Sequence, residues 1–221
     1  MSTGLKLALL GAPGVGKGTL AEFLKKKYDL SHISTGDVLR DAIKGGSPVG
    51  LKAKSYMDTG ELVPDQIVGE IIEEKLRHDD VKERFLLDGY PRTIRQVEIL
   101  DAVLKKVGSR LDYAFYIFVD EEIIVSRLLD RRICSSCGAL YNIKNKPPKA
   151  AGICDECSGK LIQRKDDHES VIRERLSVYR KETYPIVDLY DSRGILVRFD
   201  GINGSKDVER QITTFLSEQK R

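Results

Sequence analysis

The fold is decided by one stretch of the sequence, GAPGVGKGT, at residues 11–19. An apolar run at residues 5–10 precedes this stretch, and a helical pattern follows it from Leu20. Glycines allow backbone N–H groups to close around an anion, because they adopt positive φ angles at little cost. The helix behind them offers unpaired N–H groups and the positive end of its dipole, and Lys17 adds a full charge. Strand, glycine-rich turn and helix together predict a phosphate-binding loop for a nucleoside triphosphate.

The loop departs from the general pattern G-x-x-x-x-G-K-[ST] at its last position, where Gly18 stands before Thr19. In the general pattern this hydroxyl is directed at Mg²⁺. The residues alone therefore leave the role of Thr19 open. A glycine turn with a surface lysine is the plain alternative to a phosphate site.

The composition describes a globular chain with one substantial core. It has 221 residues, of which 41% are hydrophobic and 32% charged. The net charge of +3 is too small to argue for nucleic acid or a membrane surface as a partner. The start of the chain is too short for a signal peptide, and no apolar run approaches a membrane span. We therefore expect a cytoplasmic protein, and a monomer because nothing in the sequence indicates an interface.

Strand and helix patterns alternate along the chain. We expect strands at residues 5–10, 31–34, 85–87, 113–119 and 195–199. We expect helices at residues 17–28, 35–43, 49–58, 65–77, 93–106, 121–131, 168–190 (with a kink at Pro185) and 205–218. This alternation predicts an α/β protein with a parallel sheet of about five strands, the first of them central. Ligands bind beyond the carboxyl ends of such strands. The segments expected at these ends are the glycine loop, residues 35–37, residues 88–89 and Asp120.

Arginines are the second signal. Arg40 and Arg92 come shortly after strand ends, Arg164 follows the cysteine-rich segment and Arg175 stands near an apolar helical face; the others are Arg127, Arg131 and Arg132. The four-residue spacing predicts that Arg127 and Arg131 share a helix face. Any single one of these arginines could be a surface charge. As a set they suit phosphoryl transfer, which needs positioning and neutralisation of spread negative charge, and guanidinium groups pair well with phosphate oxygens.

The histidines give no sign of nucleophilic catalysis, whereas Asp88 suits a site for Mg²⁺. The three histidines, His32, His78 and His168, do not stand in a recognisable nucleophile motif, and His32 is expected to pack within its short strand. Asp88 follows a strand and faces the glycine loop, where a carboxylate could hold Mg²⁺ or its waters. An aspartate that merely forms a turn before Gly89 is the alternative.

The four cysteines form two pairs, Cys134-x-x-Cys137 and Cys154-x-x-Cys157, separated by sixteen residues. Two such turns bring four thiolates into a tetrahedron, which is the structural Zn²⁺ arrangement with no ligand position left open. Iron is the minor alternative. A segment of about 35 residues cannot build much core, so the metal would hold it together.

These residues together resemble the adenylate kinase family, in its long-lid bacterial form with a four-cysteine zinc-binding lid. The resemblance covers nearly the whole chain. It is carried by GAPGVGKGT at residues 11–19, ISTGD at 33–37, LLDGYPR at 86–92, the pair Arg131-Arg132, and RKDD at 164–167. Gly18 before Thr19 is the form of the loop that this family uses.

The resemblance implies the P-loop nucleoside monophosphate kinase fold and a reversible transfer from Mg-ATP to AMP that gives two ADP. It implies three parts: a core at residues 1–33, 64–129 and 168–221, an AMP-binding insert at 34–63, and a zinc-binding lid at 130–167. Closure of the lid would exclude water and so limit hydrolysis of ATP.

The resemblance also implies site residues. For ATP these are Gly14, Val15, Gly16, Lys17, Gly18, Thr19, Arg127, Leu140, Tyr141 and the backbone at Asn203. For AMP they are Thr35, Arg40, Glu61, Leu62, Val63, Gly89, Tyr90, Pro91, Arg92, Gln96, Arg164 and Arg175. The catalytic set is Lys17, Arg92, Arg131, Arg164 and Arg175, with Asp88 positioning Mg²⁺ through water. Zn²⁺ would be held by Cys134, Cys137, Cys154 and Cys157.

Three other functions were weighed against this one. A kinase for CMP, UMP or GMP would use the same chemistry. Thr35 and Gln96 favour adenine by the family resemblance, in which the glutamine amide both donates to and accepts from the base edge. A nucleic-acid binder with a zinc ribbon is disfavoured, because residues 134–157 lack interleaved basic and aromatic residues. A GTPase-type switch is disfavoured by the lack of an N-K-x-D motif.

Overall fold

A computed structural model of the chain describes residues 4–219. Its strands are β1 (Lys6–Leu10), β2 (Ser31–Ser34), β3 (Phe85–Asp88), β4 (Tyr113–Phe118), β5 (Arg131–Cys134), β6 (Leu140–Asn142), β7 (Leu161–Ile162) and β8 (Leu196–Asp200). Five of them form one sheet in the order β2-β3-β1-β4-β8, and each neighbouring pair is parallel. The predicted α/β class, five-stranded parallel sheet and central first strand are confirmed.

Helices cover both faces of this sheet. They are α1 (Lys17–Tyr28), α2 (Thr35–Lys44), α3 (Pro48–Thr59), α4 (Asp65–Leu76), α5 (Asp79–Lys82), α6 (Ile94–Lys106), α7 (Glu121–Leu129), α8 (Glu169–Val178), α9 (Pro185–Ser192) and α10 (Ser205–Glu218). Successive residues of β1 alternate between the faces. Leu7 and Leu9 join the cluster with α1 and α10, and Ala8 joins the cluster with α4 and α6. Because β1 is buried on both faces, it reads as a continuous apolar run.

The helix predicted at residues 121–131 is shorter in the structure. The helix α7 ends at Leu129, and Arg131 lies on β5. The Arg132 side chain donates to the carbonyl of Leu129 (3.0 Å), and the Ile143 N–H donates to the carbonyl of Asp130 (2.9 Å). These bonds satisfy the last carbonyls of the helix and turn the chain outward. The prediction that Arg127 and Arg131 share a helix face was therefore wrong.

The helix predicted at residues 168–190 is interrupted before Pro185. A π turn, Tyr179–Thr183, separates α8 from α9, and the Tyr184 N–H donates to the carbonyl of Tyr179 (2.8 Å). Proline has no N–H to continue the α-helical ladder, so the wider turn absorbs the break and Pro185 opens α9. In place of a simple kink, the chain changes from the α-helix α8 to a π turn and then to the α-helix α9.

The region around the cysteines folds as a small separate layer. Strands β5, β6 and β7 form an antiparallel sheet in the order β6-β5-β7. This layer contains a small cluster of buried side chains, which includes two of the cysteines. Among residues 4–219, no helix is both long and apolar enough to cross a membrane.

Candidate active site

A cleft of about 1140 Å³ opens at the carboxyl ends of β1, β2 and β3. Its walls are the glycine loop, the start of α2, the turn at residues 60–63, the end of β3 and the β6 strand of the small sheet. Asp120 caps α7 and is not among the described residues that line this cleft. The sheet edge thus gathers segments that are distant in sequence around one concave surface.

Most of the residues predicted to form the site lie together in this cleft. The lining includes Gly14, Val15, Gly16, Lys17, Gly18, Thr19, Thr35, Arg40, Glu61, Leu62, Val63, Asp88, Gly89, Pro91, Arg92, Gln96, Arg127, Arg131, Leu140, Tyr141, Arg164, Arg175 and Asn203. Tyr90 lies beneath it instead. Its side chain is fully buried in the core, and its hydroxyl donates to the carbonyl of Gln96 (3.1 Å).

The glycine loop adopts the conformation that its sequence predicts. Gly11, Gly14 and Gly16 have φ angles of 142°, 87° and 106°, values that other residues rarely adopt. A Cβ atom on Gly14 would also lie 2.7 Å from Cγ of Leu128, so this position is restricted twice. Gly16 is the N-cap of α1, and the first turn of that helix has no acidic residue. The loop therefore presents N–H groups and a helix dipole to an anion.

Lys17 is held inside this loop. Its ammonium donates to the carbonyl oxygens of Gly11 (2.8 Å) and Ala12 (3.0 Å). The pKa of Lys17 is lowered to about 8, chiefly by burial; the charge of Asp88 acts to raise it, and those of Arg92, Arg175 and Arg131 act to lower it. Keeping a lysine charged in this position is costly, and an anionic phosphate beside it would favour the charged form.

The arginines form a concentrated positive field. Burial lowers the pKa of Arg92 to about 10, and the charges of Arg175 and Arg40 lower it too. Burial likewise lowers the pKa of Arg164 to about 10, with further lowering by Arg131 and Arg40. The Nε atom of Arg164 is buried and has no hydrogen-bond partner among the described residues. Crowded and partly desolvated guanidinium groups indicate a site for a strongly anionic ligand.

Two consecutive aspartates hold these arginines in place. Arg131 makes a two-point contact with Asp167, through Nε to Oδ2 (2.7 Å) and Nη2 to Oδ1 (2.5 Å). Arg175 contacts a carboxylate oxygen of Asp166 at 2.9 Å and its carbonyl at 3.0 Å. Asp167 is fully buried. We did not predict this positioning role. The only signal in the sequence is the Asp pair two residues after Arg164.

The opposite side of the cleft holds Thr35 and Gln96. The Thr35 hydroxyl donates to the carbonyl of Gly89 (2.9 Å). The Gln96 amide oxygen accepts from the Arg92 N–H (2.7 Å), and its nitrogen donates to a carboxylate oxygen of Asp65 (2.8 Å). Because the Arg92 N–H needs an acceptor and the Asp65 carboxylate needs a donor, these two partners identify which atom of the Gln96 amide is oxygen and which is nitrogen. One N–H and one lone pair of Gln96 remain for another group.

Asp88 and Arg127 complete the site from opposite ends. The Asp88 carboxylate lies 3.6 Å from Nε2 of His32, which occupies β2 with a side chain only 12% exposed, as its expected packing role requires. Arg127 lies on α7, and its side chain donates to the carbonyls of Gly201 and Ile202, both at 3.1 Å. It therefore ties α7 to the loop that follows β8.

The four cysteines converge as predicted. Their sulfur atoms all lie within 4.8 Å of one another, with Cys134 and Cys157 3.4 Å apart and Cys137 and Cys154 3.6 Å apart. Backbone hydrogen bonds lower the pKa of Cys134, while hydrogen bonds among the cysteine sulfurs raise the pKa of Cys137, as expected of thiols packed closely enough to share protons. A Cβ atom on Gly159 would lie 2.9 Å from the Cys134 sulfur. This donor set and close approach fit a four-thiolate metal site.

The geometry defines a class of protein. A glycine loop on the central strand of a parallel sheet, facing a cleft crowded with arginines, is the P-loop nucleoside monophosphate kinase fold, and its cysteine cluster fits a zinc lid. A family model described as adenylate kinase matches residues 9–195. The adenylate kinase of Clostridium botulinum (strain Loch Maree / Type A3) is 46% identical over 216 residues, which are 98% of this chain and all of that relative. That of Caldicellulosiruptor bescii is 47% identical over 208 residues, 94% of this chain and 97% of the relative. The chain belongs to the adenylate kinase family, whose members transfer phosphoryl groups between nucleotides.

Proposed function

We propose that this enzyme moves the terminal phosphoryl group of Mg-ATP to AMP, reversibly, giving two ADP and so balancing the adenine nucleotides. The observation that carries the proposal is the two-sided cleft. A phosphate-binding loop forms one side, Thr35 and Gln96 form the other, and guanidinium groups lie between them. A cleft that only hydrolysed ATP would have no use for the second side.

The donor nucleotide would occupy the loop side. The backbone of residues 14–19 would hold its phosphates, and Lys17 would exchange the carbonyls of Gly11 and Ala12 for phosphate oxygens. Leu140 and Tyr141 on β6, Arg127 on α7 and the backbone at Asn203 would surround the rest of the nucleotide. These groups approach from two different layers of the fold, so ATP would hold the layers together.

The acceptor nucleotide would occupy the other side. Arg40, Arg92 and the backbone at residues 89–91 would hold its phosphate, and the turn Glu61, Leu62 and Val63 would border the base. The spare N–H and lone pair of Gln96 suit adenine, which offers an acceptor beside an amino group. Cytosine offers the same pair, so the amide supports an amino-bearing base over uracil, and the acceptor screen below separates AMP from CMP.

The transfer itself needs charge and alignment. Arg131, Arg164 and Arg175 would surround the phosphoryl group in transit, two of them fixed by Asp167 and Asp166. Such fixed cations stabilise the transition state without reorganising. Asp88 lines the cleft near Lys17, and its carboxylate suits a hard cation held through water. When bound, Mg²⁺ neutralises phosphate charge.

The proposal divides the chain into a core (1–33, 64–129 and 168–221), an AMP-binding insert (34–63) and a lid (130–167). The insert supplies α2 and α3, and the lid supplies β5, β6 and β7. Cys134, Cys137, Cys154 and Cys157 would hold Zn²⁺ as a structural ion, since four thiolates leave no open position. The proposal includes a monomer in the cytoplasm, a compartment that keeps thiols reduced.

An acceptor screen tests the function. Purified protein with Mg-ATP is offered AMP, CMP, UMP, GMP or no acceptor, and ADP formation is followed over time. We expect a large response to AMP alone. A response led by another monophosphate would retain phosphoryl transfer but contradict the assignment of Thr35 and Gln96, and equal ADP formation without an acceptor would contradict the acceptor site altogether.

A further inference from the structure

One residue belongs both to the cysteine cluster and to the nucleotide cleft. Tyr141 lies on β6, is only 6% exposed, and lines the cleft beside Leu140. Its hydroxyl oxygen lies 3.4 Å from the sulfur of Cys154. The residue thus contacts the metal cluster through its hydroxyl and belongs to the strand that forms the cleft wall.

The direction of the contact with sulfur follows from the other bond that the hydroxyl makes. The Asp155 N–H donates to the Tyr141 oxygen at 2.7 Å. A backbone N–H can only donate, so the phenol accepts there and has its own proton left to give. The Cys154 sulfur is the acceptor in reach, and it also receives the Glu156 N–H at 3.4 Å. A cysteine sulfur that binds a metal is a thiolate and can only accept, so in the metal-bound protein Tyr141 is the donor to Cys154.

The cleft side of the Tyr141 ring is held as well. The Lys146 ammonium lies 5.6 Å from the ring centroid and donates to the carbonyl of Leu140 at 3.2 Å. Lys146 also lines the cleft. The ring is thus fixed at its hydroxyl end by the cysteine cluster and at its face by a cation on the nucleotide side.

We propose that Tyr141 is a positioning residue that couples the lid metal to ATP. This inference rests on the metal site and the ATP site proposed above. Four thiolates around one divalent ion carry excess negative charge, and a hydroxyl donor to one of them reduces that excess and strengthens metal binding. The same contact fixes β6 against the cluster, and with it the part of the cleft wall that Leu140 and Tyr141 form. Because binding linkage is reciprocal, ATP stabilises the metal as the metal stabilises the ATP site.

Zinc retention in the intact protein tests this. Wild type and Tyr141→Phe are loaded with zinc, and its transfer to a chromogenic chelator is followed with and without Mg-ATP. We expect the variant to lose about tenfold or more in apparent zinc affinity, the usual effect of removing a hydrogen-bond partner of a metal ligand. We expect Mg-ATP to slow zinc transfer from the wild type and to do so much less in the variant. Tyr113→Phe, a hydroxyl loss on β4, is the matched control.

Cobalt gives a second readout that needs no variant. The sulfur-to-cobalt absorption band of the cobalt-loaded wild type should shift when Mg-ATP is added. Zinc affinity in Tyr141→Phe equal to that of the control, or an unchanged cobalt band together with equal slowing by Mg-ATP in both proteins, would overturn the coupling. A wild type that binds neither metal would instead overturn the metal site itself.

Discussion

Replacing Asp167 by Asn tests whether the arginines of the cleft are positioned by buried carboxylates. In the native protein Arg131 meets both oxygens of Asp167, and Arg175 lies 3.5 Å from the same carboxylate. Asparagine keeps the shape but removes the charge. It also turns one of the two acceptors into an NH₂ group, which can only oppose a guanidinium N–H. One hydrogen bond is lost and two cations lose their shared counter-charge.

The burial of this pair sets the size of the effect. Asp167 is 0% exposed and Arg131 is 18% exposed, so water cannot replace the lost charge. Removing one partner of a buried ion pair costs about 3–5 kcal/mol. For a protein of this size each kcal/mol shifts the melting temperature by about 2–4 °C, so the nucleotide-free variant should melt roughly 6–20 °C lower. A misplaced Arg131 should also lower kcat by about 100-fold.

The matched control is Asp101→Asn. Asp101 makes the same two-point contact with Arg193, at 2.8 and 3.1 Å, but its side chain is 46% exposed. An exposed pair contributes only about 0–1 kcal/mol, and this one lies outside the cleft. Melting curves and initial rates of both variants would be measured with and without ATP. Nucleotide phosphates should restore part of the stability of Asp167→Asn. If both variants melted alike and kept wild-type rates, the positioning role of Asp167 would be refuted.

Four further outcomes are expected. Lys17→Met should lose at least 100-fold in kcat while its circular dichroism stays unchanged, and near wild-type turnover would contradict its role. The wild type should gain stability relative to Lys17→Met as pH rises from about 8 to 10, because the unfolded chain, with a Lys pKa near 10.5, binds more protons there. Calorimetry of ATP binding near pH 8 in two buffers should show proton uptake by the wild type, and its absence would refute the lowered pKa of Lys17. Cys134→Ser should clearly lower the melting temperature of the lid while changing the rate at low temperature only a little. An unchanged melting profile, or a wild type that contains no metal after purification, would contradict structural zinc.

The core of the fold follows from local sequence. The apolar run of β1, the glycines after it and the helical period of α1 act within one short segment, and their structure matches their pattern. The cysteine cluster was also predictable, because two close pairs of one residue type restrict the possible partners. In both cases the information lies in residues that are near one another along the chain.

What the sequence did not reveal depends on distant partners. Strand β7 has two residues and no periodicity, and it exists because Ile133 and Cys134 pair with it. Asp167 reads as an ordinary polar residue until the fold buries it against Arg131 from 36 positions away. The end of α7 likewise depends on bonds from Arg132 and Ile143 in the lid. Packing and charge pairing decide such features, and neither has a local pattern.

Because the arginines are crowded, their arrangement in the cleft depends on how much negative charge is bound among them. Arg40 comes from α2, Arg131 and Arg164 from the lid segment, and Arg92 and Arg175 from the segments around β3 and α8. Assembling these like charges around water alone costs free energy, as the mutual lowering of their pKa values indicates. One nucleotide neutralises only part of that charge. Under the proposed function, the donor triphosphate and the acceptor phosphate, arriving from opposite sides, would together neutralise the rest, so the complete arrangement of arginines would be favoured only when both nucleotides are bound.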